Sequence, residues 1–323
     1  MTDILTIGDT KMDVFIDLGK KARIACDIDR PRCMLSMKFG EKIPVDSAVS
    51  MVAGSAVNVA IGGRRLGLKT AAMSVTGDDG TAMLAKELLR RERVETTFLK
   101  KEDGTKSSFS AVLNFEGEST ILAVHEPHTY ILPRRLGCRF VFVSELGISY
   151  EPLFRELARR AKKGEFRLGV NPGAVQLEKL HPSLYTLLRA ADVLVVNAAE
   201  AQRLALHETD HVPSLLHKLQ SLGPRTVLVT DGARGAYGVS NGEILFAPAA
   251  RAKRVETTGA GDAFTSGFLA GYLRGLGLAK SMTYGIFNSA SVVEHVGPQA
   301  GLLSRARLSK RITASPSYTP TSV

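Results

Sequence analysis

Short apolar runs recur along the chain at residues 4–7, 141–143, 168–170, 193–196 and 227–230, and longer helical patterns lie between them at 55–66, 81–93, 152–163, 199–206 and 214–222. A short apolar run without polar alternation suits a strand buried on both faces, and strands alternating with helices make a mainly parallel sheet covered on both sides. The expected fold class is therefore α/β, with a parallel central sheet and helices on both faces. In such sheets ligands bind at the carboxyl ends of the strands. Two stretches break the rhythm. Residues 13–52 and 97–124 lack a clean helical period and carry alternating segments such as 109–115 and 120–124, which read as antiparallel strands of one small sheet built from two insertions.

A chain of 323 residues with 44% hydrophobic content can bury one large core. Residues 1–312 are read as a single domain, and the Ser-, Thr- and Pro-rich stretch 313–323 is expected to be disordered. The net charge of +10 invites a nucleic-acid reading, but the basic residues are dispersed. Their densest clusters (Arg90, Arg91 and Arg93; Arg159, Arg160, Lys162 and Lys163) fall on amphipathic helical patterns and read as solvated faces. No nucleic acid is expected as a partner, whereas small anionic substrates suit a basic balance. An odd count of cysteines, Cys26, Cys33 and Cys138, gives no disulfide framework, and Cys26 and Cys33 are too far apart for a CxxC metal knuckle. A local pairing of Cys26 with Cys33 is the minor alternative. No apolar run approaches the roughly 20 residues that span a bilayer, and the first residues lead directly into the run at 4–7. A cytoplasmic protein without membrane contact is expected.

The chemistry concentrates in VETTGAGDAF, residues 255–264. Gly259, Ala260 and Gly261 can turn backbone N–H groups toward a phosphate, and Phe264, Phe268 and Tyr272 follow at a spacing of four, which predicts a helix whose N-terminus adjoins that turn. Asp262 would repel a phosphate, so its useful role is to take a proton from an attacking hydroxyl while the amides stabilise charge on the transferring group. An ordinary glycine-rich loop entering a helix is the competing reading. A dinucleotide fingerprint requires glycine where Phe264 stands, and no GxxxxGK[ST] occurs, so Rossmann and P-loop chemistry are excluded.

TTGAGD followed by Ala263 and Phe264 resembles the C-terminal signature of the ribokinase-like, or PfkB, carbohydrate kinases, and the resemblance extends over nearly the whole chain. It implies ATP and Mg²⁺ as cofactors, a sugar or nucleoside as acceptor, and a β-sheet lid, at about 13–52 and 97–124, that covers the acceptor and makes a homodimer contact. In IGDTKMD (7–13) it implies that Asp13 accepts hydrogen bonds from acceptor hydroxyls. AGSAVNVA (53–60) resembles the GGxxxN signature, which assigns Gly54 and Asn58 to the acceptor; Ala53 departs from that pattern, and Ser55 stands where the family's namesake carries a lysine. NAAEA (197–201) matches the NxxE element, in which Asn197 and Glu200 organise Mg²⁺ through water; Asn197 with Glu200 is equally the spacing of a capping box.

VTDGARGAYG (229–238) resembles the nucleotide-binding turn, with Thr230, Gly232 and Gly235 at the nucleotide, and Asn288 in FNSASVVEHVGPQAG (287–301) stands near the adenine in the same likeness. The chain departs from the family at Glu256, where aspartate contributes to a monovalent-cation site, and in NPGAVQL (171–177), which lacks the arginine of the DPNxR type. His125 and His128, which flank Glu126 and Pro127, could face a lid pocket, but polar loop histidines are the favoured reading. The expected activity is transfer of the ATP γ-phosphoryl group to a sugar-like hydroxyl. A nucleoside kinase of the same fold and a non-catalytic sugar- or nucleotide-sensing relative are the alternatives.

Overall fold

The computed structural model describes residues 1–20, 22–26, 33–209 and 211–323. The chain opens with β1 (Thr2–Ile7), β2 (Lys11–Asp17), a short ribbon of β3 (Arg23–Cys26) and β4 (Cys33–Ser36), and β5 (Ser47–Ala53). Helix α1 (Ser55–Arg65) leads into β6 (Thr70–Thr76), and α2 (Gly80–Arg91) into β7 (Glu95–Lys101), before the hairpin β8 (Ser108–Phe115) and β9 (Glu118–Val124). Strands and helices then alternate through β10 (Cys138–Val143), α3 (Glu151–Lys162), β11 (Arg167–Val170), α4 (Ala174–Lys179), α5 (Pro182–Leu188), β12 (Val193–Asn197), α6 (Ala198–Ala205), α7 (Val212–Ser221) and β13 (Thr226–Thr230). The last part holds β14 (Gly235–Ser240), β15 (Glu243–Pro248), α8 (Ala260–Tyr272), α9 (Gly277–Val292), α10 (Arg305–Thr313) and β16 (Thr321–Ser322).

The central sheet has the order β16-β15-β14-β13-β12-β11-β10-β1-β6-β7 and is parallel from β7 to β13. Its central strands β10 to β13 are mostly apolar because both faces are covered. Leu5, Val141, Val143, Leu194 and Val196 face the layer that holds α3, α5 and α7, while Ile4, Phe140, Phe142, Val193 and Val195 face the layer of α8 and α9. This is the period-two alternation of a strand, with apolar side chains on both faces.

A second sheet, in the order β5-β2-β8-β9, is the expected lid. It differs from the expectation in two respects. Its central pair, β2 with β8, is parallel, and β7 belongs to the main sheet, so the second insertion supplies only β8 and β9. As an edge strand β7 exposes alternate residues and reads as amphipathic, but Phe98 and Leu99 pack on the core and settle its place. Cys26 stands opposite Cys33 in the β3–β4 register; the Cys26 side chain lies outside the described residues, and with it the expectation of a local pairing.

The stretch 313–323, expected to be disordered, packs instead. Tyr318 donates to the Pro248 carbonyl at 2.7 Å and stands edge-on to Phe287, and β16 pairs with β15. The polar composition conceals one aromatic anchor and an open sheet edge that supplies the backbone partners. Arg160, in one of the basic clusters, is 5% exposed and donates to Glu165 at 2.6 Å and to the Pro133 carbonyl at 2.7 Å, so part of that cluster is an internal tie. Among the described residues no helix is long and apolar enough to cross a membrane.

Candidate active site

At the carboxyl ends of β1, β10, β11, β12 and β13 the chain leaves the sheet beside a cavity of about 370 Å³. Its wall takes Lys11 and Asp13 from β2, Glu145 after β10, Asn171 to Ala174 after β11, Asn197 and Glu200 after β12, and Thr230 at the end of β13. Helices α1 and α8 add Ser55, Asn58, Gly261 and Asp262, and the lid strand β9 adds Ile121 and Ala123. A larger cleft, about 590 Å³, lies at the amino-terminal edge of the strands beside Arg167 and Asp192, but those two pair with each other at 3.3 Å, and the cleft holds no comparable set of convergent groups.

Asp262 sits in the first turn of α8, whose leading N–H groups have no intrahelical acceptors. Its Oδ2 accepts from Asn58 Nδ2 at 2.7 Å, and Asn58 Oδ1 in turn accepts from Gln299 at 2.9 Å. Asn58, expected at the acceptor, lines the cavity but has its amide committed to the Asp262 carboxylate. Burial raises the Asp262 pKa, and the Asn58 and Ser55 hydrogen bonds offset part of that rise. Loss of a bond that favours the charged form raises the pKa further, so the acidic limb of kcat/KM is expected to move to higher pH in Asn58→Ala. A pH–rate profile of the variant against wild type measures it, and an unmoved limb would show that Asn58 does not tune Asp262.

Gly259 caps α8 with φ +81°, and a side chain at Gly261 would meet only open space, so the turn is open toward the cavity there. Ala260 differs: its N–H is already donated to the Thr257 carbonyl at 3.2 Å. Of the three amides expected to meet an anion, this leaves those of Gly259 and Gly261. Glu256 is buried, and its carboxylate accepts from the N–H groups of Thr258 and Gly297 and from the Ser119 hydroxyl, tying this turn to the lid. Three protein donors therefore share this carboxylate, where the resembled family carries an aspartate.

Asn197 and Glu200 form the capping box, each accepting at 2.9 Å from the other's backbone N–H. One oxygen of Glu200 remains available toward the cavity. Burial lifts the Glu200 carboxyl to about 7, a cost that a divalent cation beside it would offset. The pair therefore fits water-mediated Mg²⁺. Asp13 is 4% exposed, its Oδ1 has no partner, and burial lifts its carboxyl to about 6. An orphaned buried acceptor facing a cavity is suited to a donor on a ligand.

Gly54 lines the cavity, but its φ is +123° and a Cβ there would stand 2.2 Å from the Asp9 carbonyl oxygen, so the β1–β2 turn by itself requires this glycine. Three other expected positions lie elsewhere. Gly235 likewise makes room for the Ala247 carbonyl oxygen, at 2.1 Å from a Cβ, inside the β14–β15 pairing. Gly232 is exposed and does not line the cavity. Asn288 is fully buried: its amide donates to Ala263 and Ser266 and its carbonyl accepts from Leu303, so it braces α8 against α9 and has no group left for adenine.

Lys11 and Glu145 have no role in the sequence reading, and His125 only a minor one as a lid-pocket residue. His125 bridges Asp9 Oδ2 at 3.2 Å and Glu145 Oε1 at 3.3 Å, and Lys11 Nζ reaches Glu145 Oε2 at 2.9 Å. These bonds raise the His125 pKa to about 9. The ionised histidine therefore contributes stability that is complete below its unfolded value near 6.5 and is lost as pH rises through about 9. Denaturant unfolding should show a loss on the order of 2 kcal/mol over that window, absent in His125→Asn. Equal slopes for the two proteins would remove His125 from the account.

The pfkB family carbohydrate kinase model matches residues 1–305. The chain is 27% identical over 313 residues to an ATP-dependent 6-phosphofructokinase of Thermoanaerobacterium thermosaccharolyticum, covering 91% of this chain and 89% of that one. It is 25% identical to a nucleoside kinase of Methanothermobacter thermautotrophicus over 98% of both chains. A ribokinase of Arabidopsis thaliana solved with ribose and ATP superposes with a TM-score of 0.77 at 20% identity, covering 96% of this chain and 98% of that one. The match over almost the whole chain, on a fold that brings the glycine turn, the NxxE pair and Asp13 to one cavity, decides the assignment: the chain belongs to the pfkB family of carbohydrate kinases and is a phosphotransferase.

Proposed function

We propose that the protein transfers the γ-phosphoryl group of ATP to a hydroxyl of a sugar or nucleoside, with Asp262 as general base. The observation that carries this reading is the Asp262 carboxylate, held by Asn58 at 2.7 Å on the first turn of α8 and facing the same cavity as Asp13, Asn197 and Glu200. Asp13 binds a neighbouring hydroxyl of the acceptor through its unpartnered oxygen. Asp262 takes the proton of the attacking hydroxyl, and the Gly259 and Gly261 amides stabilise charge on the group in transfer. Mg²⁺, when bound near Asn197 and Glu200, neutralises phosphate charge. Thr230 lines the nucleotide end of the cavity. Ile121 and Ala123 of the lid help to exclude water, which would compete as acceptor.

The cytoplasm, where ATP and Mg²⁺ are abundant, is the compartment this reading implies. A homodimer through the lid belongs to it as well, supported by Val49, Phe109, Leu122 and Val124 exposed on that sheet, and is tested by sedimentation.

The central test is ADP release from Mg-ATP with a panel of sugars and nucleosides. Acceptor-dependent release supports the reading. Binding of acceptor and ATP in calorimetry with no ADP formed would instead favour a sensor.

A further inference from the structure

At the acceptor end of the cavity three charged side chains have no part in the steps above, Lys11, Glu145 and His125. They begin a row of alternating charge that runs from the cavity wall inward. Lys11 Nζ lies 2.9 Å from Glu145 Oε2, Glu145 Oε1 lies 3.3 Å from His125 Nε2, and His125 Nδ1 lies 3.2 Å from Asp9 Oδ2. Tyr130 closes the row by donating to Asp9 Oδ1 at 2.6 Å. Both cations that the described residues bring to this wall, Lys11 and His125, are therefore paired with a carboxylate. Among the described residues that line the cavity, the remaining ionisable groups are Asp13, Glu200 and Asp262, and none is an arginine. Asp13 is nine-tenths buried, with an oxygen that has no partner.

We infer that the Lys11–Glu145 pair, with the orphaned Asp13 beside it, selects an uncharged acceptor rich in hydroxyl groups and rejects one that already carries a phosphate. The inference rests on the kinase reading and names its acceptor class. Hydroxyls can donate to Asp13 and Glu145 and accept from Lys11, so each polar group of the wall finds a partner on a polyol. A phosphate dianion in the same place would face carboxylates, and among the described residues that line the cavity no cation is without a carboxylate partner; like charges brought together in a desolvated site are a means by which binding sites exclude wrong ligands. Were Lys11 and Glu145 only a structural tie, nothing would require both to line the cavity.

The experiment compares kcat/KM for fructose, adenosine, inosine and cytidine with that for fructose 6-phosphate and ribose 5-phosphate, read as ADP release from Mg-ATP. The best uncharged acceptor should exceed either phosphate by about 100-fold. Glu145→Gln, which removes the counter-charge from Lys11, should narrow that ratio by about tenfold, whereas a purely structural loss would lower both activities alike. A preference for a phosphorylated acceptor, or a ratio that Glu145→Gln leaves unchanged, would overturn the inference. If that variant does not fold, the wild-type ratio alone decides.

Calorimetry on wild-type protein saturated with a non-hydrolysable ATP analogue and Mg²⁺ separates this inference from the kinase reading. Tighter binding of an uncharged acceptor supports it even if no ADP is formed, in which case the kinase reading alone fails. Tighter binding of a phosphorylated sugar, or binding by no uncharged compound, overturns it.

Discussion

Asp262→Asn is expected to lower kcat by about 10²- to 10⁴-fold, the range for loss of a general base. The same substitution should raise stability near neutral pH. Burial pushes the Asp262 carboxyl pKa up, so the folded state carries a cost for keeping this group ionised above its unfolded pKa, and the amide removes that cost. Activity and stability therefore move in opposite directions, which separates loss of the base from loss of the fold. Steady-state ADP release and thermal unfolding on one preparation measure both, and turnover within twofold of wild type would end the role assigned to Asp262.

Gly259→Ala is expected to damage both quantities together. Gly259 sits at φ +81°, and an added Cβ would stand 2.3 Å from Pro298 Cβ and 2.6 Å from Pro298 Cα, which cannot yield as a flexible side chain can. A non-glycine residue at positive φ, with an overpacked contact added, costs on the order of 3 kcal/mol. Relief of the clash turns the amide away from the transferring group, and misplacing one such donor lowers kcat by about 10²- to 10³-fold. Denaturant midpoints and kcat test the two parts. A folded, fully active Gly259→Ala would show that the turn tolerates a different geometry and that its amides are not the anion site.

The parts of the site legible in the sequence are those built from neighbours in the chain. The glycine turn places its amides and Asp262 within four residues, and the capping-box spacing of Asn197 and Glu200 is a local property of one helix start, which the structure forms at 2.9 Å in both directions. The parts that were not legible depend on distant partners. Asn58 offers a donor and an acceptor in any context, and only the packing of α1 against α8 turns the donor onto Asp262, 204 residues away. Lys11 is plainly visible two residues before Asp13, yet its charge acquires meaning from Glu145, 134 residues on. His125 reads as a loop residue because nothing nearby in sequence marks the carboxylates that flank it, Asp9 and Glu145. Asn288 and Gly235 fail in the opposite sense, since a polar side chain and a glycine near a ligand motif resemble binding groups until their internal partners are seen.

By itself the sequence determined the α/β class, through the periodicity of buried strands, and pointed to a phosphotransferase through a short signature that resembles a known family, because both are short-range properties of the chain. Tertiary structure alone decided which of those groups share a cavity, that the stretch after residue 312 packs as a sheet edge, and that a committed charge pair lines the acceptor wall. Hydrogen bonding and desolvation act over a few ångströms in space, and that proximity is set by how the helices and strands pack rather than by their order along the chain.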